Sequence, residues 1–429
     1  MSSEWCEVSL DELADINPRR TISKGTSAKF IDMAALPING RDIDSKDVIL
    51  REFTSGGAKF KNGDTLLARI TPCLENGKTA HVSCLSGDEF AFGSTEFIVL
   101  GPKSVDDSLF LYYLARSEEF RTYAISRMEG TSGRQRVPNS AVSEYRFLCP
   151  PPHVRSEIGQ ILGRLDDRIR SLRETNATLE AIAQALFKSW FVDFDPVHAN
   201  IGTQAPTLPP EIQAIFPKTF TDSAQGLIPE GWSTGTLGDV AETSRKQLKP
   251  EQLSAETLYV GLEHIPRKQL GLDTWSTAED LASAKSAFER SDILFGKLRP
   301  YFHKVIVAPI DGVCSTDILV CKSKQTSYHH FVALHLFSDE LISYADRLSN
   351  GAKMPRINWK DLAAYEVVIP PNEIAEEFQS LVEPMINRIL ANVEQAKTLS
   401  LLRDTLLPRL ISGQLCLPEA DQAIEECID

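Results

Sequence analysis

The segment FKNGDTLLARITP, residues 60–72, returns later in the chain as FERSDILFGKLRP, residues 288–300. The first phenylalanine, the aspartate, one leucine and the final proline keep the same spacing in both segments. Similarity within one chain at a long, fixed offset is the signature of a repeated structural unit. The match aligns Arg69 with either Lys297 or Arg299 and predicts a duplicated domain.

The repeat extends in both directions from this segment. Toward the N terminus, Trp5, Leu10 and Leu13 return with the same spacing as Trp232, Leu237 and Val240. Toward the C terminus, STEF at 94–97 returns as STDI at 315–318, and the copies close with the strand-like runs YRFLCPPP and YEVVIPP. The 429 residues therefore favour two homologous domains over a single core.

Each copy is followed by a segment with heptad spacing, which predicts helices over about 157–194 and 373–411. In the first segment, one heptad position holds Leu162, Ile169, Asn176, Ala183 and Trp190, and the other holds Leu165, Leu172, Leu179 and Leu186. In the second, the positions hold Val382, Ile389, Ala396 and Arg403, and Met385, Asn392, Leu399 and Leu406. Each seam contains one asparagine, a residue that costs stability but fixes register. We expect the two helices to pair with each other, the alternative being that each packs on its own domain. Pro384 is expected to start or kink the second helix.

The expected fold class is α+β, with two tandem α/β domains separated by two long helices that pair as an antiparallel coiled coil with pseudo-two-fold symmetry. The expected α/β domains are residues 1–149 and 231–369. Residues 150–195 are assigned to the central helix and 370–415 to the C-terminal helix. Residues 196–230, with six of the 24 prolines, are expected to form an exposed linker, and 416–429 an acidic tail.

The composition sets limits on the class of protein. No apolar run approaches the ~18 residues that a membrane helix needs, and the acidic N terminus lacks the pattern of a secretory signal, so we expect a cytoplasmic chain. The eight cysteines form no C-x-x-C pair and are expected to be free thiols. A net charge of -14 opposes nucleic-acid binding, but the two ends hold ten of the 59 acidic residues, which leaves 49 against 45 bases in the rest. A nearly neutral body can still have a basic face.

Signatures of catalysis are missing from the sequence. It contains no G-x-x-x-x-G-K-[ST] phosphate loop, and none of its Pro-Pro sites matches the base-holding motif of an adenine methyltransferase. Asp64 with Glu75 and Lys78 could suggest a metal-dependent nuclease. The second copy keeps the aspartate as Asp292, but direct alignment replaces the other two by His303 and Ile306, so a turn-capping aspartate is the simpler interpretation. His329, His330 and His335 lack zinc-site spacing and are expected to be satisfied or surface histidines, with no metal bound.

Basic residues recur at matching places in the two copies and indicate recognition of DNA. The predicted DNA-binding residues are Arg69, Arg134 and Arg136 in the first copy, and Lys297, Arg299, Lys353 and Arg356 in the second. Arginine can bond guanine edges through two donors, and basic loops can contact phosphates. The alternatives are a solvated charged loop or a structural ion pair with a nearby acid.

Several motifs resemble the specificity subunits of type I restriction-modification enzymes. They are IPEGW (228–232), GDTLLARITP (63–72), LFKSWFVDF (186–194) and LLPRLISGQL (406–415), and together with the repeat they cover essentially the whole chain. The acidic tail beyond Leu415 departs from the family pattern.

The resemblance implies a non-catalytic subunit whose two target-recognition domains each read one half of a bipartite target in double-stranded DNA. It further implies that the helices set the spacing and dock methylation subunits. From the heptad positions, the residues assigned to helix pairing or the subunit interface, here called the helix-pairing set, are Leu165, Leu172, Asn176, Leu179, Leu186, Asn392, Leu399 and Leu406. S-adenosylmethionine would reside on the methylation subunits, and ATP and Mg²⁺ on restriction subunits, with no cofactor bound by this chain. The alternatives from other classes are a stand-alone DNA methyltransferase or nuclease, and a protein scaffold without a DNA role.

Overall fold

The computed structural model describes residues 5–131, 133–279, 281–349, 351 and 354–428. Two compact units are present: Met1–Arg170 with Thr398–Asp429, and Ser171–Lys397. The divisions fall inside the two long helices. Each unit therefore contains one α/β domain and one end of both helices.

In the first unit, the α/β domain consists of short strands and four short α-helices. The strands are β1 Cys6–Ser9, β2 Ala14–Ile16, β3 Ser27–Ile31, β4 Val48–Glu52, β5 Ala58–Phe60, β6 Thr65–Ala68, β7 Thr79–His81, β8 Ala91–Gly93, β9 Phe97–Pro102 and β10 Arg146–Cys149. The helices are α1 Leu10–Leu13, α2 Ser108–Arg116, α3 Glu118–Ser126 and α4 Asn139–Ser143. Two four-stranded sheets have the orders β2-β9-β6-β7 and β4-β3-β8-β5, and β1 pairs with β10.

The apolar runs read from the sequence form the core of this domain. Strand β9 contains the last four residues of the run TEFIVL, and the first five residues of the strand are buried. The apolar stretch after residue 107 forms two helices, because the side chain of Ser117 caps α3 by accepting a hydrogen bond from the Phe120 N–H at 3.3 Å. These elements place the loop after β6 beside the extended segment before α4, where Ile70 and Arg136 form an isolated β-bridge.

The second unit repeats this topology. Its strands are β11 Phe220–Ser223, β12 Gly226–Pro229, β13 Ser233–Thr236, β14 Ala241–Thr243, β15 Gln247–Leu248, β16 Leu258–Val260, β17 Ser276–Thr277, β18 Lys285–Phe288, β19 Ile293–Gly296, β20 Val305–Val307, β21 Gly312–Cys314, β22 Ile318–Ser323 and β23 Glu366–Ile369. The sheet β14-β22-β19-β20 corresponds to β2-β9-β6-β7, and β13 pairs with β23 as β1 does with β10. The duplication predicted from the sequence is thus present in the fold.

The helices after the first domain comprise the two long ones and a set of shorter ones. They are α5 Pro152–Phe191, α6 Asp195–Asn200, α7 Pro210–Gln213, α8 Leu237–Val240, α9 His329–Leu336, α10 Asp339–Leu348, α11 Trp359–Ala363, α12 Asn372–Ile411 and α13 Leu417–Ile428. Helices α5 and α12 have 40 residues each. Helix α12 begins at Asn372 and continues through Pro384. The expectation that Pro384 starts the helix is therefore wrong. Pro384 is exposed, and so is Ser380, the residue whose carbonyl loses its N–H partner.

The linker and the tail differ from their expected form. Residues 196–230 contain α6, α7 and the β11–β12 hairpin, and Val197, Phe216 and Ile228 are buried, so this segment is not an exposed connector. The apolar side chains between its prolines gain more by covering the aromatic core around Trp190 than by facing water. The tail forms α13, in which Ala420 and Ile424 are buried.

Within each unit the two long helices pair in opposite directions. In the second unit, Asn176 of α5 lies against Asn392 of α12, while Phe187, further along α5, lies near Phe378, earlier in α12. In the first unit, Asp166 of α5 pairs with Arg403 of α12. The predicted antiparallel pairing is therefore confirmed.

The residues of the predicted helix-pairing set are arranged as follows. Leu165, Leu172, Leu399 and Leu406 are buried, and Leu179 and Leu186 are half-buried. The two asparagines meet directly, because Nδ2 of Asn392 donates to Oδ1 of Asn176 at 2.8 Å. Nδ2 of Asn176 donates to the Ile389 carbonyl at 3.3 Å. A shift of one helix along the other would leave these amides without partners, which opposes slippage.

Glu180 of α5 connects the second domain to the helix through a buried carboxylate. Its Oε1 accepts a hydrogen bond from the Leu270 N–H at 2.7 Å, and its side chain is buried. Burial raises the pKa of the Glu180 carboxyl from 4.5 to about 7. The folded protein therefore favours the protonated acid more strongly than the unfolded chain does.

This raised pKa predicts a pH-dependent stability. The stabilisation from protonated Glu180 is complete below the unfolded pKa near 4.5 and is lost as pH rises through about 7, by about 3 kcal/mol in total. Glu180→Gln keeps an acceptor for the Leu270 N–H without a titration, so its unfolding free energy should fall less than the parent's between about pH 5.5 and about pH 8. Denaturant unfolding at both pH values measures this, with the exposed Glu157→Gln as control. Equal pH slopes for the parent and Glu180→Gln would contradict it.

Candidate nucleic-acid interface

The same backbone hydrogen bonds hold the loop after β6 and the loop after β19. The Arg69 N–H donates to the Glu96 carbonyl and the Arg69 carbonyl accepts from the Val137 N–H, both at 3.0 Å. Lys297 makes the equivalent bonds to Asp317 and Ile357, at 2.9 and 3.1 Å. Lys297 is thus the structural counterpart of Arg69, which settles the alignment that the sequence left open.

Arg299 lies two residues after Lys297 in the same loop. Its N–H donates to the Pro355 carbonyl at 2.8 Å, as the Thr71 N–H donates to the Gln135 carbonyl at 3.0 Å. Arg299 is therefore the counterpart of Thr71. It adopts a left-handed conformation with φ of 53°, and its guanidinium lies 5.9 Å from the centroid of the Phe302 ring. A non-glycine residue in this region needs support from its surroundings, here from the Pro355 hydrogen bond.

Arg136 and Arg356 form equivalent ion pairs in the two domains. Nη2 of Arg136 lies 2.7 Å from Oε1 of Glu96, and Nε of Arg356 lies 3.0 Å from Oδ1 of Asp317. Both arginine side chains are almost half exposed, at 43% and 47%. The Arg136 guanidinium also lowers the pKa of the Glu96 carboxyl. Each arginine is thus ion-paired and accessible at the same time, so the structural ion pair is present and the DNA-binding role stays a prediction.

The remaining predicted DNA-binding residues differ in position. Arg134 is exposed and Arg69 is half-buried. Because Arg136 and Arg356 occupy equivalent positions in the two domains, Met354 is the counterpart of Arg134. Lys353 is outside the described residues.

The nuclease interpretation loses its support. Oδ2 of Asp64 accepts from the Lys61 N–H at 2.7 Å, and Oδ2 of Asp292 accepts from the Glu289 N–H at 2.8 Å, so both aspartates hold the turn before a strand. Burial raises the pKa of both carboxyls. Asp64 is also paired with Arg20.

The alignment of Lys78 with Ile306 is wrong. The Ala68 N–H donates to the Lys78 carbonyl, and the Gly296 N–H donates to the Lys304 carbonyl, at 3.1 and 2.8 Å. Lys304 is therefore the counterpart of Lys78, because the second loop is shorter and the direct alignment does not allow for this. Nζ of Lys78 donates to the Met33 carbonyl at 2.9 Å, and Nζ of Lys304 donates to the Leu262 carbonyl. Both lysines have structural partners.

The histidines are more buried than expected. His335 packs with its ring 4.7 Å from that of Phe187, and burial lowers its pKa to about 3. Both ring nitrogens of His330 are buried without a hydrogen-bond partner among the described residues, so the expectation of satisfied or surface histidines is wrong for this residue. Helix α9 is buried at every position from His330 to Leu336, so the helix offers this ring no exposed site. In the described part of the chain, no three or more His, Cys, Asp or Glu side chains are grouped so as to hold a metal ion.

A shallow pocket in the second domain could not be predicted from the sequence. Its lining residues are Lys297, Leu319, Arg356, Ile357, Asn358 and Trp359. Trp359 starts α11, and its counterpart at the start of α4 is Asn139. The repeat therefore gave no signal for this tryptophan.

No described helix is both long and apolar enough to cross a membrane.

A duplicated α/β domain with equivalent ion-paired arginines and a pair of long helices defines a class of two-domain recognition proteins rather than a single-site enzyme. The family model for the type I restriction modification DNA specificity domain matches residues 2–181 and 229–398. The chain belongs to this family, and its function is that of a specificity subunit acting in DNA recognition.

Individual relatives agree with this assignment. The chain is 27% identical to the type I restriction enzyme HindI specificity subunit of Haemophilus influenzae, over 96% of this chain and 100% of the relative. It is 26% identical to the MjaIX specificity subunit of Methanocaldococcus jannaschii, over 74% and 71% of the two chains. The solved type I restriction-modification S subunit from M. genitalium has the same fold, with a TM-score of 0.53 at 16% identity, covering 95% of this chain and 96% of that one.

Proposed function

We propose that each α/β domain reads one half of a bipartite target in double-stranded DNA and that the paired helices set the distance between the halves. Residues 1–149 and 231–369 are the two reading modules. The observation that carries this proposal is that both domains hold the same arrangement of basic residues. Arg69 and Arg136 are on adjacent segments of the first domain, and Lys297 and Arg356 are on the equivalent segments of the second. Two domains that share a framework but differ in their loops are suited to reading two different DNA half-sites.

The partners follow from the same proposal. The long helices dock methylation subunits, which bring S-adenosylmethionine, and restriction subunits bring ATP and Mg²⁺. Exposed positions of α5 and α12 outside the helix pair supply the docking surface. Partner subunits also contribute phosphate contacts, which offsets the net charge of -14. The complex acts in the cytoplasm, where the DNA is.

Arg136→Ala and Arg356→Ala test the recognition surface. The target is first determined by selection from a randomised DNA pool with the complex of this chain and its methylation subunits. Each variant complex should then bind the selected target about 1 to 3 kcal/mol more weakly if the arginine contacts a base edge, with little change on scrambled DNA. A phosphate contact would instead weaken both DNAs and reduce the salt dependence.

The matched control is Arg146→Ala, which removes another exposed, ion-paired arginine of the first domain, bonded to Glu7. Thermal melting of all three variants separates recognition from stability. Normal melting with parental affinity for both DNAs at two salt concentrations would show that Arg136 and Arg356 do not contribute to recognition. A loss of melting temperature without a loss of discrimination would assign them to structural ion pairs.

A further inference from the structure

The pocket beside Lys297 has two kinds of lining. Leu319, Ile357 and Trp359 supply an apolar surface, with Ile357 buried and the other two half-buried. Lys297, Arg356 and Asn358 supply the polar groups. All six belong to the second domain. The pocket adjoins the residues proposed to meet DNA, so a group of the DNA is the occupant to consider.

Two of the three polar residues already use some of their hydrogen-bonding groups within the domain. Arg356 donates to both carboxylate oxygens of Asp317, from Nε at 3.0 Å and from Nη2 at 3.4 Å. Asn358 caps α11 by accepting from the Asp361 N–H at 2.9 Å, and its Nδ2 donates to the Asp361 carboxylate at 2.5 Å. The Lys297 side chain forms no ion pair or hydrogen bond with any described residue. The pocket thus offers an apolar surface beside the uncommitted ammonium group of Lys297, and no described residue accepts from Nη1 of Arg356.

This combination matches one base edge in the major groove. Thymine presents its C5 methyl group beside the O4 acceptor, whereas guanine, adenine and cytosine have no methyl group that could fill the apolar part of the pocket. A phosphate would use several donors and gain nothing from Leu319 and Trp359. We propose that this pocket receives the C5 methyl group of a thymine in the half-site read by the second domain, with Lys297 donating to O4. This inference rests on the proposed function.

The first domain differs at the decisive position. Asn139 stands where the second domain has Trp359, and Arg69 stands where it has Lys297. An amide offers no apolar surface to a methyl group, and arginine has the two-donor geometry that suits guanine. The dependence on a thymine methyl group is therefore expected in one half-site and is assigned to this pocket.

Deoxyuridine tests the inference without changing the protein, since it removes the C5 methyl group and keeps O4. Each thymine of the selected target is replaced singly, and affinity is measured with the complete methylation complex. One replacement in the second domain's half-site should weaken binding about 3- to 10-fold, as expected for one buried methyl group. The half-site must contain an A·T pair, so a half-site without thymine on either strand would overturn the inference.

Protein variants connect the effect to the pocket. In Trp359→Ala and Trp359→Leu, the affinities for the thymine and deoxyuridine targets should differ less than they do in the parent. The leucine variant should retain more of this difference in affinity than the alanine variant. Asn139→Ala is the matched control and should leave it unchanged. A methyl effect that persists undiminished in Trp359→Ala, or no methyl effect at any position, overturns the inference while selective DNA binding is retained. Failure to select any DNA sequence would instead count against the proposed function.

Discussion

Replacing Arg403 with leucine is expected to lower the free energy of unfolding by about 3 to 5 kcal/mol. Arg403 is almost fully buried, and its Nη1 donates to Oδ1 of Asp166 at 2.5 Å. Oδ2 of Asp166 accepts from the hydroxyl of Tyr113 at 2.6 Å. Removing the arginine leaves the Asp166 carboxylate buried without its cation, and that uncompensated charge accounts for the loss.

Two controls make the result specific. Arg409→Leu changes an exposed arginine on the same helix and should alter stability by less than about 0.5 kcal/mol. Asp166→Leu combined with Arg403→Leu removes both charges and should be less destabilised than Arg403→Leu alone. Denaturant unfolding measures all three. A stability loss for Arg403→Leu no larger than that of Arg409→Leu would contradict a structural role for the buried pair.

Lengthening both long helices by one heptad is expected to lengthen the unread gap in the DNA target by about 3 base pairs. Seven residues add about 10 Å to a helix, and stacked base pairs are about 3.4 Å apart. The insertions belong after Arg170 in α5 and after Lys397 in α12, where the two compact units divide. Placed there, they preserve the Asn176–Asn392 contact in one unit and the Asp166–Arg403 pair in the other.

The gap is read from sequences selected by the variant complex from a randomised pool. Both half-sites should keep their bases. Insertion in α5 alone is the matched control and should lower stability, because one of the two polar contacts can then form only with a shifted helix. A folded, DNA-binding double variant that selects the parental gap would refute the spacing role of the helices.

The domain plan could be predicted from the sequence because the duplication preserves buried and turn-forming residues. Asp64 and Asp292 bond the same turn, and the heptad seams place Asn176 and Asn392 together. Arg403 occupies an apolar seam position and weakened the heptad match. Its partner Asp166 is on the other helix, at a position that the pattern did not single out.

Other features could not be predicted because they depend on loop length and on residues that differ between the copies. The equivalence of Lys78 with Lys304 requires a shorter loop in the second copy. Trp359 has asparagine as its counterpart, so the comparison of copies gave it no weight. The linker buries Val197 and Phe216, although its prolines suggested exposure.

Exchange of residues 1–149 for the corresponding domain of another specificity subunit tests the central claim most directly. The measurement is the DNA sequence selected from a randomised pool by the hybrid chain in complex with its methylation subunits, compared with the sequence selected by the parent. Two independent readers predict that one half of the target changes, while the other half and the gap stay the same. A target that changes in both halves, or in neither, would contradict the account.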